Sequence, residues 1–349
     1  MKPYLRIGLW TLCLPVITLL MVAAAQGQYR SASNSNTNAA YAAPPAPHDT
    51  FDSTSVSLGK KLFFDTRLSS DGWLSCASCH DPAHGFSDSR RLSVGVQGQR
   101  SKRHAPTLLG RQLDESQFWD GRAATLEEQV LQPIVNPEEM GMTIDAVLQQ
   151  FNRDPAYRGL TRESLASALA GYVRTIRSDG SRYDLFISGW PIVMSDLELE
   201  GLRLFRGKAQ CYLCHSGPQF TDEGFHNTGV AWRDGALQDP GRGAITGKSY
   251  HQGAFKTPTL RDVARRGPYM HDGSLATLED VIDFYDRGGS PNPYLDENIV
   301  PLHLSVAEKS ALLAFLKTGL TGSMVEGSAA LKDRRSASTQ TRPDRRKSY

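Results

Sequence analysis

Two short runs constrain this chain more than anything else in its 349 residues: Cys76-Ala77-Ser78-Cys79-His80 and Cys211-Tyr212-Leu213-Cys214-His215. Each sets two thiols three residues apart on one tight turn, with an imidazole directly behind them. Thiols so spaced can reach the two vinyl groups of a single porphyrin while the histidine points at the iron, so C-x-x-C-H reads as covalent haem attachment. A redox dithiol or half of a zinc site requires no histidine there, and here the pattern occurs twice. Four of the five cysteines belong to these motifs, and the fifth, Cys13, lies in an apolar N-terminal run. The expectation is two covalently bound haems of c type, with His80 and His215 as proximal iron ligands.

That run constrains location. Lys2 and Arg6 precede an apolar stretch from Ile7 to Met21, and Ala23-Ala24-Ala25 offers small residues for cleavage, which reads as an export signal over 1–25. An uncleaved anchor is the alternative, since Pro15 interrupts a somewhat long stretch. Either reading places the folded part in the periplasm and limits membrane contact to the N-terminus. With no cysteine left for disulfides, stability there rests on packing and on the haems. The formal charge of +2 falls to zero without Lys2 and Arg6. Residues 331–349 hold seven Lys or Arg against Asp333 and Asp344, so the preceding body is net acidic. A nucleic-acid partner has no support in this balance.

Along the chain, 26–50 is rich in Ser, Asn, Ala and Pro and reads as a flexible linker. A mainly α-helical fold follows, in two tandem cytochrome c-like domains with long irregular loops: 51–190 around the first haem and 191–322 around the second. Helical periodicity marks segments near 51–64, 125–131, 144–151 and 164–176, and capping boxes at Ser195 and Ser305 open two more. Gly180, Gly189 and Pro191 mark the domain boundary over 178–191, and 323–349 reads as a disordered basic tail. A faint repeat supports the tandem arrangement. Gly59-Lys60-Lys61-Leu62-Phe63 is echoed by Gly201-Leu202-Arg203-Leu204-Phe205, and Phe86-Ser87-Asp88 by Phe220-Thr221-Asp222.

Two C-x-x-C-H motifs alone also fit an electron carrier with both irons capped. The stretches Leu74-Ser75-Cys76, Ala105-Pro106-Thr107, Gln117-Phe118-Trp119-Asp120-Gly121-Arg122 and Pro268-Tyr269-Met270-His271-Asp272-Gly273, in that order, narrow the choice. Together they resemble the bacterial dihaem cytochrome c peroxidase and MauG family over residues 51–322. The resemblance implies an enzyme that meets hydrogen peroxide at the N-terminal haem and exchanges electrons through the C-terminal one. It gives Trp119 the place between the haems, a relay for electrons or holes, and Gln129, Pro133 and Glu139 the peroxide side of the first haem. A carboxylate there can carry a proton from the inner to the outer peroxide oxygen as the O–O bond breaks.

Two positions bear on the branch. Where peroxidases that need prior reduction carry a histidine capping the first iron, the resemblance places Val96, which cannot ligate; His84 and His104 are the substitutes within reach. His104 also falls on a family calcium ligand usually held by asparagine, which puts the implied calcium ion in doubt. The register from Pro268 onward places the sixth ligand of the second haem at Tyr285, with Met270 the alternative. Axial methionine raises a haem potential, whereas an anionic oxygen donor favours higher oxidation states. The reading is a MauG-like oxidoreductase passing oxidising equivalents to a protein substrate, a tryptophan being the residue type the resemblance implies. The alternative is a cytochrome c peroxidase fed by a small cytochrome or cupredoxin.

Overall fold

The computed structural model describes residues 52–327. The export segment, the linker and the tail from 328 onward lie outside the described residues. Among the described residues, no helix is long and apolar enough to cross a membrane.

The faint repeat in the sequence is a repeat of helix pairs. Helix α1 (Ser53–Phe63) starts at Asp52, whose carboxylate accepts from the Thr54 and Ser55 N–H groups, and it buries Val56, Gly59, Leu62 and Phe63. The spacing is that of one helical face. Helices α2 (Leu126–Val135), α3 (Ile144–Asn152) and α4 (Arg162–Arg174) are each opened by a threonine cap, and α1 packs along α4. At the crossing a Cβ on Gly59 would lie 1.8 Å from the carbonyl oxygen of Ala168, so only glycine allows this approach. A core from Leu62 to Ile176 fills the space between them.

The second half repeats the device. Strand β1 (Arg177–Asp179) leads to α5 (Arg182–Ile187) and α6 (Asp196–Arg206), the latter opened by the Ser195/Glu198 capping box. Then come β2 (Phe225–His226), β3 (Trp232–Arg233), β4 (Ala236–Leu237), the short helix α7 (Arg242–Thr246), β5 (Phe255–Lys256), α8 (Leu278–Asp286) and α9 (Val306–Ala314). Helix α6 packs along α9, and a Cβ on Gly201 would lie 2.0 Å from the Ala311 carbonyl oxygen. Tyr183, Phe205, Phe220 and Phe315 meet edge to face beneath it.

The boundary stretch and the start of the tail hold more regular structure than their composition suggests. The expected boundary stretch 178–191 contains α5, opened by a Ser181/Asp184 capping box, and Tyr183 and Asp184 are buried. Nor does irregular chain begin at 323: β6 (Ser323–Val325) pairs antiparallel with β1, Met324 packs on the first core, and the Gly327 N–H reaches Thr175 Oγ1 at 2.7 Å. Backbone pairing holds this segment, which its polar composition conceals.

Asp184 and Arg261 form a doubly hydrogen-bonded ion pair, 2.9 Å on each arm, with both side chains buried. The carboxylate also accepts from Ser181 Oγ, and Arg261 Nε donates to the Pro218 carbonyl. Asp184→Asn strands a buried cation and is expected to cost about 3–5 kcal/mol in chemical denaturation of the haem-loaded protein; adding Arg261→Met should recover most of that loss.

Candidate functional site

Each C-x-x-C segment forms one turn of 3-10 helix, Cys76–Ser78 and Cys211–Leu213, and the histidine N–H returns to the carbonyl of the first cysteine at 2.9 Å in both. None of the four thiols is in a disulfide. Burial pushes the Cys76 and Cys211 thiols up to about 12, the opposite of a reactive redox dithiol. His80 Nδ1 lies 3.1 Å from the Phe86 carbonyl oxygen, and His215 Nδ1 lies 2.9 Å from that of Phe220. A carbonyl can only accept, so each Nδ1 carries the proton and each Nε2 keeps its lone pair for a metal. Burial brings both imidazoles down to about 4, so they are neutral at ordinary pH. Phe86 and Phe220 turn their carbonyls inward by adopting left-handed backbone, with φ of 56° and 53°.

Each motif opens on its own cavity. The first, about 920 Å³, is bordered by Cys76, Cys79 and His80, and also by Gln129, Pro133 and Glu139. The second, about 230 Å³, is bordered by Cys211, Cys214 and His215 together with Met270 and Tyr285. Trp119 borders both, as do His104, Arg111 and His271.

The end of α2 places Glu139. Pro133 lacks the N–H that would bond the Gln129 carbonyl, which loosens the last turn. The chain then doubles back with Glu139 N–H to Asn136 O (3.0 Å) and Met142 N–H to Ile134 O (2.8 Å). Asn136 Nδ2 donates to Glu139 Oε1 at 2.9 Å, and the Val96 N–H donates to the Glu139 carbonyl at 2.8 Å. Burial, only partly opposed by Asn136, holds the Glu139 carboxyl above its ordinary range.

Trp119 is fixed from two sides, its Nε1–H donating to the His104 carbonyl and its own carbonyl accepting from the Lys256 N–H, each at 2.8 Å. The His104 N–H donates in turn to the His271 carbonyl at 2.8 Å. His104 Nδ1 donates to the carbonyls of Arg90 and Arg91, and Nε2 faces Ser87 Oγ at 3.0 Å. Both ring nitrogens are engaged, and neither offers the oxygen that calcium prefers. His84 pairs with Asp81 outside both cavities, and Val96 is buried.

Tyr285 lies on α8, its hydroxyl within hydrogen-bond reach of Thr228, and burial followed by the Cys214 and Cys211 thiols pushes its pKa up. Met270 sits in a left-handed turn, φ 74°, on a loop that mirrors the one carrying Trp119: Phe118-Trp119-Asp120-Gly121 and Met270-His271-Asp272-Gly273 are closed by matching bridges, Gln117 to Ala123 and Tyr269 to Leu275. This second echo, visible in the sequence, marks His271 as the counterpart of Trp119. His271 stacks on Phe255 with ring centres 3.5 Å apart.

The residues fit two haems. Each cavity has a thiol pair and a neutral imidazole with a free Nε2. Arg111 and Arg266, both buried, border the second cavity, each with an Nε that has no hydrogen-bond partner. Such cations suit haem propionates. Sequence reasoning missed both arginines, because a buried arginine looks like any other until its partners are known.

Two haem-binding cavities joined by one aromatic wall define a two-centre redox protein. A family model described as di-haem cytochrome c peroxidase matches residues 53–190. The methylamine utilization protein MauG of Methylorubrum extorquens is 40% identical over 279 residues, covering 75% of this chain and 77% of its own. The cytochrome c551 peroxidase of Nitrosomonas europaea is 35% identical over 277 residues, covering 76% and 79%. A crystal structure of a MauG-like protein associated with microbial copper homeostasis superposes with a TM-score of 0.72 at 32% identity, covering 83% of this chain and 95% of that one. The chain belongs to the di-haem cytochrome c peroxidase and MauG family. It is an enzyme of the dihaem oxidoreductase class that works with peroxide.

The covalent attachment expected from the two C-x-x-C-H motifs is directly testable. After acid and organic-solvent extraction the wild-type polypeptide should retain two haems, and a Cys76→Ser/Cys79→Ser variant one, read by pyridine haemochrome absorbance and intact mass.

Proposed function

We propose that the protein is a MauG-like periplasmic enzyme that reacts with peroxide in its fully oxidised state and passes the oxidising equivalents to a protein or redox partner. One observation carries this reading. None of the three positions at which the sequence could have offered a cap for the first iron presents one: Val96 is packed in the core, His84 lies outside the cavities, and His104 has both ring nitrogens engaged. Tyr285 on the wall of the second cavity supports the same branch.

Bound haem would supply, at each histidine, an iron that takes up peroxide or holds an oxidising equivalent. The protein does the rest. His80 and His215 each present a neutral Nε2 because Phe86 and Phe220 hold the proton on Nδ1. Glu139, ionised, takes the proton from the near oxygen of peroxide and returns it to the far oxygen, so that the leaving fragment departs as water. Asn136 holds one Glu139 oxygen and leaves the other free for this task. Gln129 provides an amide on the same wall. Trp119 bridges the cavities, and its N–H, bonded to a carbonyl that cannot accept a proton outright, stays in place when the ring gives up an electron.

The second reading is a cytochrome c peroxidase, favoured by Met270, which borders the second cavity alongside Tyr285. Under the proposed reading Tyr285→Met changes the ligand signature of the second haem in near-infrared magnetic circular dichroism and Met270→Leu does not; the reverse pattern selects the peroxidase.

Glu139 gives a test of the chemistry. As a base it must be ionised, and its raised pKa sets the acid limb of peroxide reaction above the ordinary carboxylate range, the rate rising with pH through that value. Stopped-flow mixing of Glu139→Gln with peroxide should show the rate lowered by roughly 100-fold or more and the acid limb gone; an unchanged limb would assign the proton transfer to another group.

A further inference from the structure

Behind the wall of the first cavity lies a second oxidisable ring. Tyr172 on α4 is fully buried, and its helix neighbours Leu169 and Val173 border the cavity itself. Its ring meets that of Phe63, another cavity residue, with centres 5.1 Å apart. The phenol does not face the cavity. Its hydroxyl donates to Oε2 of Glu326, whose Oε1 accepts from Lys60 Nζ at 2.8 Å. Lys60 is half exposed, so the head of the ring sits just beneath the surface. The arrangement is pinned at its base: Thr175 Oγ1 donates to the Tyr172 carbonyl at 2.6 Å and accepts from the Gly327 N–H at 2.7 Å. Strand β6 therefore serves to bring a carboxylate to a tyrosine on α4.

A phenol loses an electron readily only if its proton can leave with it. Trp119 donates to a carbonyl, which is no base, whereas Tyr172 donates to a carboxylate. We propose that Tyr172 and Glu326 form a radical site that accepts an oxidising equivalent from the first cavity when no substrate electron arrives.

This rests on peroxide being activated in the first cavity. Hydrogen peroxide is the oxidant, taking two electrons and two protons to become two waters. Tyr172 supplies one of those electrons while its hydroxyl proton moves to Glu326 Oε2; the other electron comes from the bound haems, and the two protons come from solvent. A neutral phenoxyl then stands beside a neutral carboxylic acid that still accepts from Lys60. The electron returns from a small one-electron organic reductant of the ascorbate type at the half-exposed Lys60 face, and the proton moves back from Glu326 to the phenol oxygen. Burial raises the phenol's pKa and prevents ionisation beforehand, so electron and proton leave together.

The test uses the haem-loaded protein, mixed with peroxide in the absence of substrate and frozen for EPR. Wild type should show an organic radical whose hyperfine splitting narrows when the protein is grown with ring-deuterated tyrosine. Tyr172→Phe, which keeps the ring and its packing, should lose that signal while consuming peroxide at the wild-type rate and retaining both haems. Glu326→Gln leaves the hydroxyl a hydrogen-bond acceptor but no base, and should lose most of the radical yield. A tyrosyl signal that persists undiminished in Tyr172→Phe, or no tyrosyl signal in wild type that does consume peroxide, overturns the inference alone. Failure of wild type to consume peroxide overturns the functional reading and this inference with it.

Discussion

The structure depends on a hydrogen bond made twice, from the Nδ1–H of a histidine to the carbonyl of a phenylalanine five or six residues further on. Without it the imidazole could present either nitrogen and rotate on its stem. With it, one tautomer and one orientation remain, and the free Nε2 faces a cavity. The requirement reaches outward. A phenylalanine must accept a left-handed backbone to turn its carbonyl inward. Its ring must then be held, by Phe63 in the first half and by Phe205 in the second. Those anchors stand on α1 and α6, each drawn against its partner helix by a glycine that no other residue could replace. The repeat in the sequence is the trace of this one mechanical need.

That explains what could be read without coordinates and what could not. Residues serving chemistry at short range, Cys76 to His80 and Cys211 to His215, declare themselves by spacing. Helices with a cap and an apolar stripe do the same, as at Ser195 and Ser305. Gly59 and Gly201 were visible as an echo, but their reason, a backbone crossing with no room for a methyl group, is a property of the pair. Strand β6 was missed because three residues of backbone pairing carry little compositional signal. Arg111 and Arg266 could not be read at all, since their significance lies in what they fail to contact.

Under the proposed reading the candidate site separates proton handling from electron handling. Glu139 is held by its own turn and by the N–H of Val96, so the residue standing where an iron cap would be expected helps to position the base instead. Trp119 is held by carbonyl and amide groups from elements around both cavities and gains no proton acceptor from them. A ring so placed can pass charge back and forth without committing a proton, which suits a relay between two centres. The His104 and His271 backbones extend that contact across the same wall.

The central claim is that the first iron is open while both irons are oxidised. The most direct measurement adds one equivalent of hydrogen peroxide to the fully ferric protein, without prior reduction, and follows the EPR signals of both haems. The account predicts prompt loss of both ferric signals, because Val96 offers no cap and Trp119 joins the two centres. Ferric signals that persist until an electron is first supplied would contradict it, and would mean that a side chain moves in to close the first iron at rest.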